Sequence, residues 1–247
     1  MEAKYVSRAT LKTPLDPRSY LRGIPAVRHL IECGYISFED NVTFFVGENG
    51  TGKSTLLEAI AVAFGFNPEG GTRNFNFSTR ESHSELCRHI AITKRGYPKD
   101  GFFLRAESLY NVATDIERME QDSPGLINSY GGVSLHNQSH GESFLSLVQN
   151  RFGGHGLYIL DEPEAALSPT RLMSLMIEIK RLVRTDSQLI IATHSPILMA
   201  FPGACIYQIN DEGIKKVDYR STDHYLVTKQ FLDDPERIFR YLFDDGL

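Results

Sequence analysis

The sequence predicts an α/β fold built on an open, largely parallel sheet, because three short apolar runs each end in chemically loaded residues. Val42-Thr43-Phe44-Phe45-Val46 breaks at Gly47, Leu157-Tyr158-Ile159-Leu160 leads into Asp161-Glu162, and Leu189-Ile190-Ile191-Ala192-Thr193 leads into His194. Continuously apolar, β-branched and aromatic runs suit strands that are covered on both faces. Ligand sites in such sheets form at the carboxyl ends of the strands.

With 247 residues, 41% hydrophobic and 23% charged, the chain can bury a real core as one large domain or as one domain with an inserted lobe. The net charge of −5 removes any argument from bulk charge for nucleic-acid binding and leaves only a local basic stripe as a route to it. Cys33, Cys87 and Cys205 are widely spaced and form no Cys-x-x-Cys pair, which reads as reduced thiols used mostly for packing. No secretory segment follows Met1, and apolar runs such as Ala59 to Phe64 fall far short of the ~20 residues a membrane span needs. The expectation is a cytoplasmic protein with no direct membrane insertion.

In chain order, Ser54 to Phe64 is rich in Leu, Ala and Glu and predicts a helix stopped by Gly65 and Pro68. From about residue 66 to 138 the texture turns rich in Gly, Asn, Ser and Arg, including Asn67-Pro68-Glu69-Gly70-Gly71 and Gly131-Gly132. This places an inserted lobe at 66–154, with 1–65 and 155–247 as the core lobe of a single domain, 1–247. Within the insert, His83, Cys87 and His89 lack a fourth ligand and read as a surface helix. His136 and His140 are spaced to share a helix face. A helix from Pro169 carries Leu172, Leu175, Met176, Ile179 and Leu182 on one side and Arg171, Glu178, Lys180 and Arg181 on the other, a solvated face. Two strands, Cys205 to Ile209 and Ile214 to Val217, flank a turn at Asn210-Asp211-Glu212-Gly213, and a short helix follows from Pro235 to Phe243. Repeats and coiled-coil heptads are absent from the sequence.

The segment Gly47-Glu48-Asn49-Gly50-Thr51-Gly52-Lys53-Ser54, followed by Thr55, lies between a predicted strand and a predicted helix, the context a phosphate-binding loop requires. Its glycines let backbone N–H groups curl round phosphates, and the helix N-terminus adds positive potential. Lys53 can reach the β- and γ-phosphates of ATP, and the Ser54 hydroxyl can complete a Mg²⁺ shell. Asp161-Glu162 puts two carboxylates at a strand tip. Asp161 is expected to hold Mg²⁺ through a water, and Glu162 to orient or deprotonate the attacking water.

Ser139-His140-Gly141-Glu142 resembles the signature motif of the ABC ATPase superfamily in its Ser-x-Gly-Glu form, typical of the branch of chromosome-maintenance and RecF-like heads. His140 stands where transporters often have glycine. Ala165-Ala166-Leu167-Ser168 resembles the D-loop, with Ser168 in place of the common aspartate, and His194 resembles the switch histidine that contacts the γ-phosphate. Glu107, or its neighbour Ser108, follows Phe102-Phe103-Leu104-Arg105-Ala106 where the family has a glutamine that contacts Mg²⁺ and water. Nearly end to end, the chain is similar to small stand-alone AAA/ABC-like ATPases.

The resemblance implies a P-loop NTPase fold, an ABC-ATPase-like nucleotide-binding domain with an inserted helical lobe. It implies ATP and Mg²⁺ as cofactors, with Glu162 and His194 catalytic. Gly47, Glu48, Asn49, Gly50, Thr51, Gly52, Lys53, Ser54 and Thr55 would bind ATP, together with Ser139, Gly141 and Glu142. Ser54, Asp161 and Glu107 would stand at the metal. In this superfamily the signature contacts ATP held by the opposite subunit, so a homodimer with ATP at the interface is implied. The stretch from Thr55 to Ser139 is too short for long coiled-coil arms. Implied roles are an ATPase acting on a nucleic-acid or protein partner, with Lys94, Arg95 and Lys99 as the local basic cluster; the ATP-binding subunit of a transporter; or a non-hydrolysing ATP-gated scaffold, against which Glu162 and His194 argue.

Overall fold

The computed structural model of the chain describes residues 5–72 and 84–243. Strand β1 (Val6–Leu11), helix α1 (Pro25–Cys33), β2 (Tyr35–Ser37) and β3 (Val42–Val46) precede the glycine loop. The loop opens α2 (Lys53–Phe64), and α3 (Leu86–His89), β4 (Ile90–Lys94) and β5 (Asp100–Arg105) follow. Next come α4 (Leu109–Asp122), α5 (His140–Arg151), β6 (Gly156–Asp161), α6 (Pro169–Arg184), β7 (Gln188–Ala192) and α7 (Pro196–Met199). Strands β8 (Cys205–Asn210) and β9 (Gly213–Val217) lead to helices α8 (Asp223–Asp233) and α9 (Pro235–Leu242).

Six strands form one sheet in the order β5-β6-β7-β3-β8-β9, parallel throughout except for β9, which runs antiparallel to β8. The three strands expected to end in functional residues are therefore neighbours. Phe45 of β3 and Asp161 of β6 both register against Ala192 of β7, so the three carboxyl ends lie side by side. Alternate side chains divide between two cores, as the two-residue period of a strand requires. Phe44, Phe102, Tyr158, Leu160 and Ile191 join one with residues of α4, α5 and α6; Phe45, Phe103, Leu157, Ile159 and Ile190 join the other with residues of α1 and α2. Coverage on both faces is why these strands are apolar at every position.

A second, antiparallel sheet has the order β2-β1-β4. It is tied to the large sheet by Gln188, a fully buried side chain at the start of β7. Its Oε1 accepts from the N–H of Tyr5 at 3.0 Å and of Val6 at 2.8 Å, and its Nε2 donates to the Val6 carbonyl at 2.9 Å. The side-chain amide thus substitutes for the peptide group of a neighbouring strand. Gln188→Leu keeps the volume but strands three buried backbone groups, and is expected to cost about 2–4 kcal/mol in urea unfolding. Amide exchange should accelerate first at Tyr5 and Val6. An unchanged urea midpoint would show that this tie contributes nothing.

The segment 66–154, expected as one inserted lobe, is divided in space. Strand β4 joins the small sheet and β5 takes the edge of the large one beside β6. Phe102, Phe103 and Leu104 are all fully buried, as expected of a strand with cores on both sides. His136 and His140 do not share a helix: His136 sits in a short turn, Leu135–Asn137, while His140 opens α5 after an extended Ser139. His136 instead meets Thr114 Oγ1 at 3.1 Å and the ring of Tyr110.

His83 lies outside the described residues, while Cys87 and His89 belong to α3. No group of three or more His, Cys, Asp or Glu among the described residues could hold a metal. All three cysteines are free, but only Cys205 is buried; Cys33 is exposed. No helix among the described residues is long and apolar enough to cross a membrane.

Candidate functional site at the strand ends

The glycine loop wraps the tip of β3. Gly47 has φ +149°, and a Cβ there would lie 2.3 Å from the Ile209 carbonyl oxygen of β8, so this position accepts no side chain. Thr51 Oγ1 donates to the Glu48 carbonyl at 2.8 Å and tightens the turn. Lys53 is buried, its Nζ donating to the carbonyls of Gly47 at 2.9 Å and Glu48 at 3.1 Å. Burial lowers its pKa, and the carboxylates of Glu162, Asp161, Glu164 and Glu48 oppose that shift. Helix α2 starts from a left-handed Gly52 with no side-chain cap, which leaves its first-turn N–H groups oriented for an anion.

Ser54 Oγ on α2 donates to Asp161 Oδ1 at the end of β6 at 3.0 Å. Burial pushes the Asp161 carboxyl up to about 6, against the pull of the Arg105 guanidinium and then of Ser54. A buried carboxylate beside a hydroxyl is an oxygen pair that a hard divalent cation accepts, with phosphates supplying further ligands. The residues present therefore fit Mg²⁺. Arg105, at the end of β5, stands 3.5 Å from Asp161 Oδ2 and 3.1 Å from Glu58 Oε2, and forms an ion pair with Glu107. Glu107 is mostly exposed and reaches this cluster through Arg105.

Glu162 adopts left-handed backbone, φ 50° and ψ 53°, a conformation costing a non-glycine residue on the order of 1 kcal/mol. Its N–H is held by the Ala192 carbonyl at 3.0 Å. The carboxylate then meets His194 Nε2 at 3.2 Å, and His194 Nδ1 meets His224 Nε2 at 3.1 Å. The backbone N–H of His194 donates to Glu164, a buried carboxylate whose pKa burial raises. Glu58, Arg105, Glu164 and His224 thus join a cluster that sequence spacing assigned to Ser54, Asp161, Glu162 and His194. Glu164 has a signal in its place two residues after Glu162; His224, a lone histidine 30 positions beyond His194, has none.

The signature residues sit elsewhere. Ser139 caps α5, and Glu142 Oε2 accepts from its N–H at 3.0 Å and its hydroxyl at 2.6 Å. Arg171 of α6 donates to Ser139 Oγ at 3.2 Å and to Glu142 Oε1 at 3.0 Å. A Cβ on Gly141 would lie 2.6 Å from Arg171 Nη1 and 2.8 Å from the Ala166 carbonyl, so glycine permits α5 to close on the 165–168 segment. Ser168 there caps α6. The hydrogen bonds of Ser139 and Glu142 among the described residues stay within this corner, none reaching the glycine loop. Against that loop, a cavity of about 460 Å³ is lined by Glu48, Asn49, Thr51, Asn210, Asp223 and His224.

Two family models match the chain. One, described as an AAA domain, covers residues 23–123; the other, an AAA domain whose description refers to the AbiEii toxin and a Type IV TA system, covers 131–200. An uncharacterized ABC transporter ATP-binding protein of Haemophilus influenzae is 26% identical over 230 residues, 83% of this chain and 84% of that protein. Structural maintenance of chromosomes protein 6 of Takifugu rubripes is 33% identical over 69 residues, 28% of this chain but 6% of that protein. Among solved structures, cbiO1 of Clostridium perfringens, part of the ABC transporter complex cbiONQ, aligns with a TM-score of 0.51 and 14% identity over 97% of this chain and 99% of its own. The chain is similar to ATPases of the AAA/ABC type, and its fold is the P-loop NTPase fold of ABC nucleotide-binding domains.

Proposed function

We propose that the chain binds ATP with Mg²⁺ and hydrolyses it, two copies of the chain enclosing the nucleotide. The observation that carries this reading is the convergence of Ser54, Asp161, Glu162 and His194 at adjacent strand ends beside the glycine loop. The loop amides, the N-terminus of α2 and Lys53 would bind the phosphates. Ser54 and Asp161 would hold Mg²⁺, which when bound withdraws charge from phosphate oxygens. Glu162 would accept the proton of the attacking water, and His194 would steady that carboxylate beside the terminal phosphate.

Dimerisation is supported by the separation of Ser139, Gly141 and Glu142 from the loop of their own chain: Ser139 and Glu142 are exposed at the start of α5, where they could complete a second copy's site. The cycle of closing on ATP and reopening after hydrolysis would act on a nucleic-acid or protein partner. A second reading, the ATP-binding subunit of a transporter, draws on the Haemophilus relative, which matches over most of both chains.

Phosphate release from ATP by the purified chain, with and without EDTA, tests the reading together with light scattering in a non-hydrolysable ATP analogue. Mg²⁺-dependent release and a doubling of mass are expected. Failure to bind labelled ATP in Mg²⁺ would end the proposal.

A further inference from the structure

Beyond the switch histidine lies a residue that none of the sequence motifs reaches. His224 sits in the first turn of α8, with its Nε2 3.1 Å from His194 Nδ1, while His194 Nε2 is 3.2 Å from Glu162 Oε1. An ionised carboxylate only accepts hydrogen bonds, so a bond from His194 to Glu162 requires the proton on Nε2. In the neutral ring Nδ1 is then an acceptor, and its partner must donate. His224 can do so: its Nε2 faces His194, while its own Nδ1 is buried without a hydrogen-bond partner among the described residues. A proton on that Nδ1 would be an orphaned buried donor, which is disfavoured, so the proton belongs on Nε2. Burial, and then the neighbouring His194, lower the pKa of His224, in keeping with a neutral ring.

The support behind His224 is local and firm. Gln208 of β8 and Asp223 form a reciprocal clamp, Gln208 Nε2 donating to Asp223 Oδ2 at 2.6 Å and Asp223 N–H donating to Gln208 Oε1 at 3.2 Å. Fully buried Thr222 caps the helix through the Tyr225 N–H at 3.3 Å. The rest of α8, and α9 after it, contributes no buried residue. The first turn is therefore pinned to the sheet beside the glycine loop, at the point where it delivers His224.

We infer that His224 is a positioning residue of the proposed ATPase reaction, its Nε2–H donating to His194 Nδ1 and holding His194 in the tautomer that presents an Nε2–H to Glu162. The inference rests on the proposed role of His194 in hydrolysis. Without this donor, His194 would distribute its proton over both nitrogens, and the Nδ1–H tautomer would turn a lone pair toward the carboxylate. The chemistry would slow while the phosphate loop, which binds ATP, stayed intact.

Long-range ¹⁵N–¹H correlation spectra of histidine-labelled protein read the tautomer directly, without nucleotide. The wild type is expected to show His194 protonated on Nε2, His224→Leu a shift toward Nδ1–H, and His224→Gln, whose amide can still donate, the wild-type pattern. In steady-state kinetics His224→Leu should lower kcat about 10–100-fold with little change in the KM for ATP, and His224→Gln should recover most of that loss. An Nδ1–H tautomer in the wild type, or an unchanged tautomer in His224→Leu, overturns the inference. If the wild type hydrolyses no ATP, the proposed function fails, and the tautomer comparison still decides the role of His224. If His224→Leu does not fold, the wild-type spectrum and the His224→Gln variant decide it.

Discussion

Glu162→Gln is expected to lower kcat for ATP about 10²–10⁴-fold, the range contributed by a positioned general base, with ATP affinity little changed. Glutamine is isosteric, tolerates the same left-handed backbone at some cost, and leaves the N–H bond to the Ala192 carbonyl in place. Its amide oxygen can still accept from His194 Nε2. What it lacks is the basic oxygen and the charge. With hydrolysis blocked, ATP and Mg²⁺ should trap the closed pair of subunits, so light scattering should report twice the monomer mass. A variant that turns over ATP at the wild-type rate would remove Glu162 from the chemistry. One that stays monomeric in saturating ATP and Mg²⁺ would count heavily against the shared site.

Asp161→Asn should move stability and activity in opposite directions. The folded-state pKa of Asp161, about 6, lies above its ordinary 3.8, with burial as the largest cause. The native state therefore keeps a proton that the unfolded chain gives up between roughly pH 4 and pH 6. Stability from this group is highest below that window and falls as pH rises through it, to a penalty on the order of 3 kcal/mol above it. Asparagine carries no such penalty and still offers Ser54 an acceptor. In EDTA at pH 8 the variant should be more stable than the wild type by about 1–3 kcal/mol in urea unfolding, an advantage that shrinks toward pH 4. Its Mg²⁺-dependent hydrolysis should be lost, because an amide is a poor substitute for the carboxylate ligand. A variant less stable than the wild type at pH 8 would refute the view that Asp161 is a carboxylate under strain awaiting a cation.

Local pattern was highly legible where backbone chemistry is local. The strand runs ending at Val46, Leu160 and Thr193 appear as β3, β6 and β7, and the turn at Asn210 to Gly213 joins β8 to β9. Gly65 ends α2 in left-handed backbone, its N–H shared between the Ala61 and Val62 carbonyls. The apolar run from Phe102 read as a strand and appears as β5, but its place in the parent sheet, not in an inserted lobe at 66–154, was not legible, because the pairing with β6 is a long-range contact. The helix α8 had too little apolar periodicity to declare itself, since it buries none of its residues.

The sequence by itself determined the glycine loop, the acid pair and the histidine after a strand, because each is a short run whose chemistry depends on consecutive residues. Which strands stand side by side was decided only by the tertiary structure. The order β6-β7-β3 brings Asp161, His194 and the glycine loop to one edge, and the pairing of Gln188 with Tyr5 and Val6 sets the small sheet against the large one. The same is true of His224 on His194 and of Arg105 between Glu58 and Asp161. Such contacts join residues far apart along the chain, and they follow from how apolar faces bury one another, which no local spacing encodes.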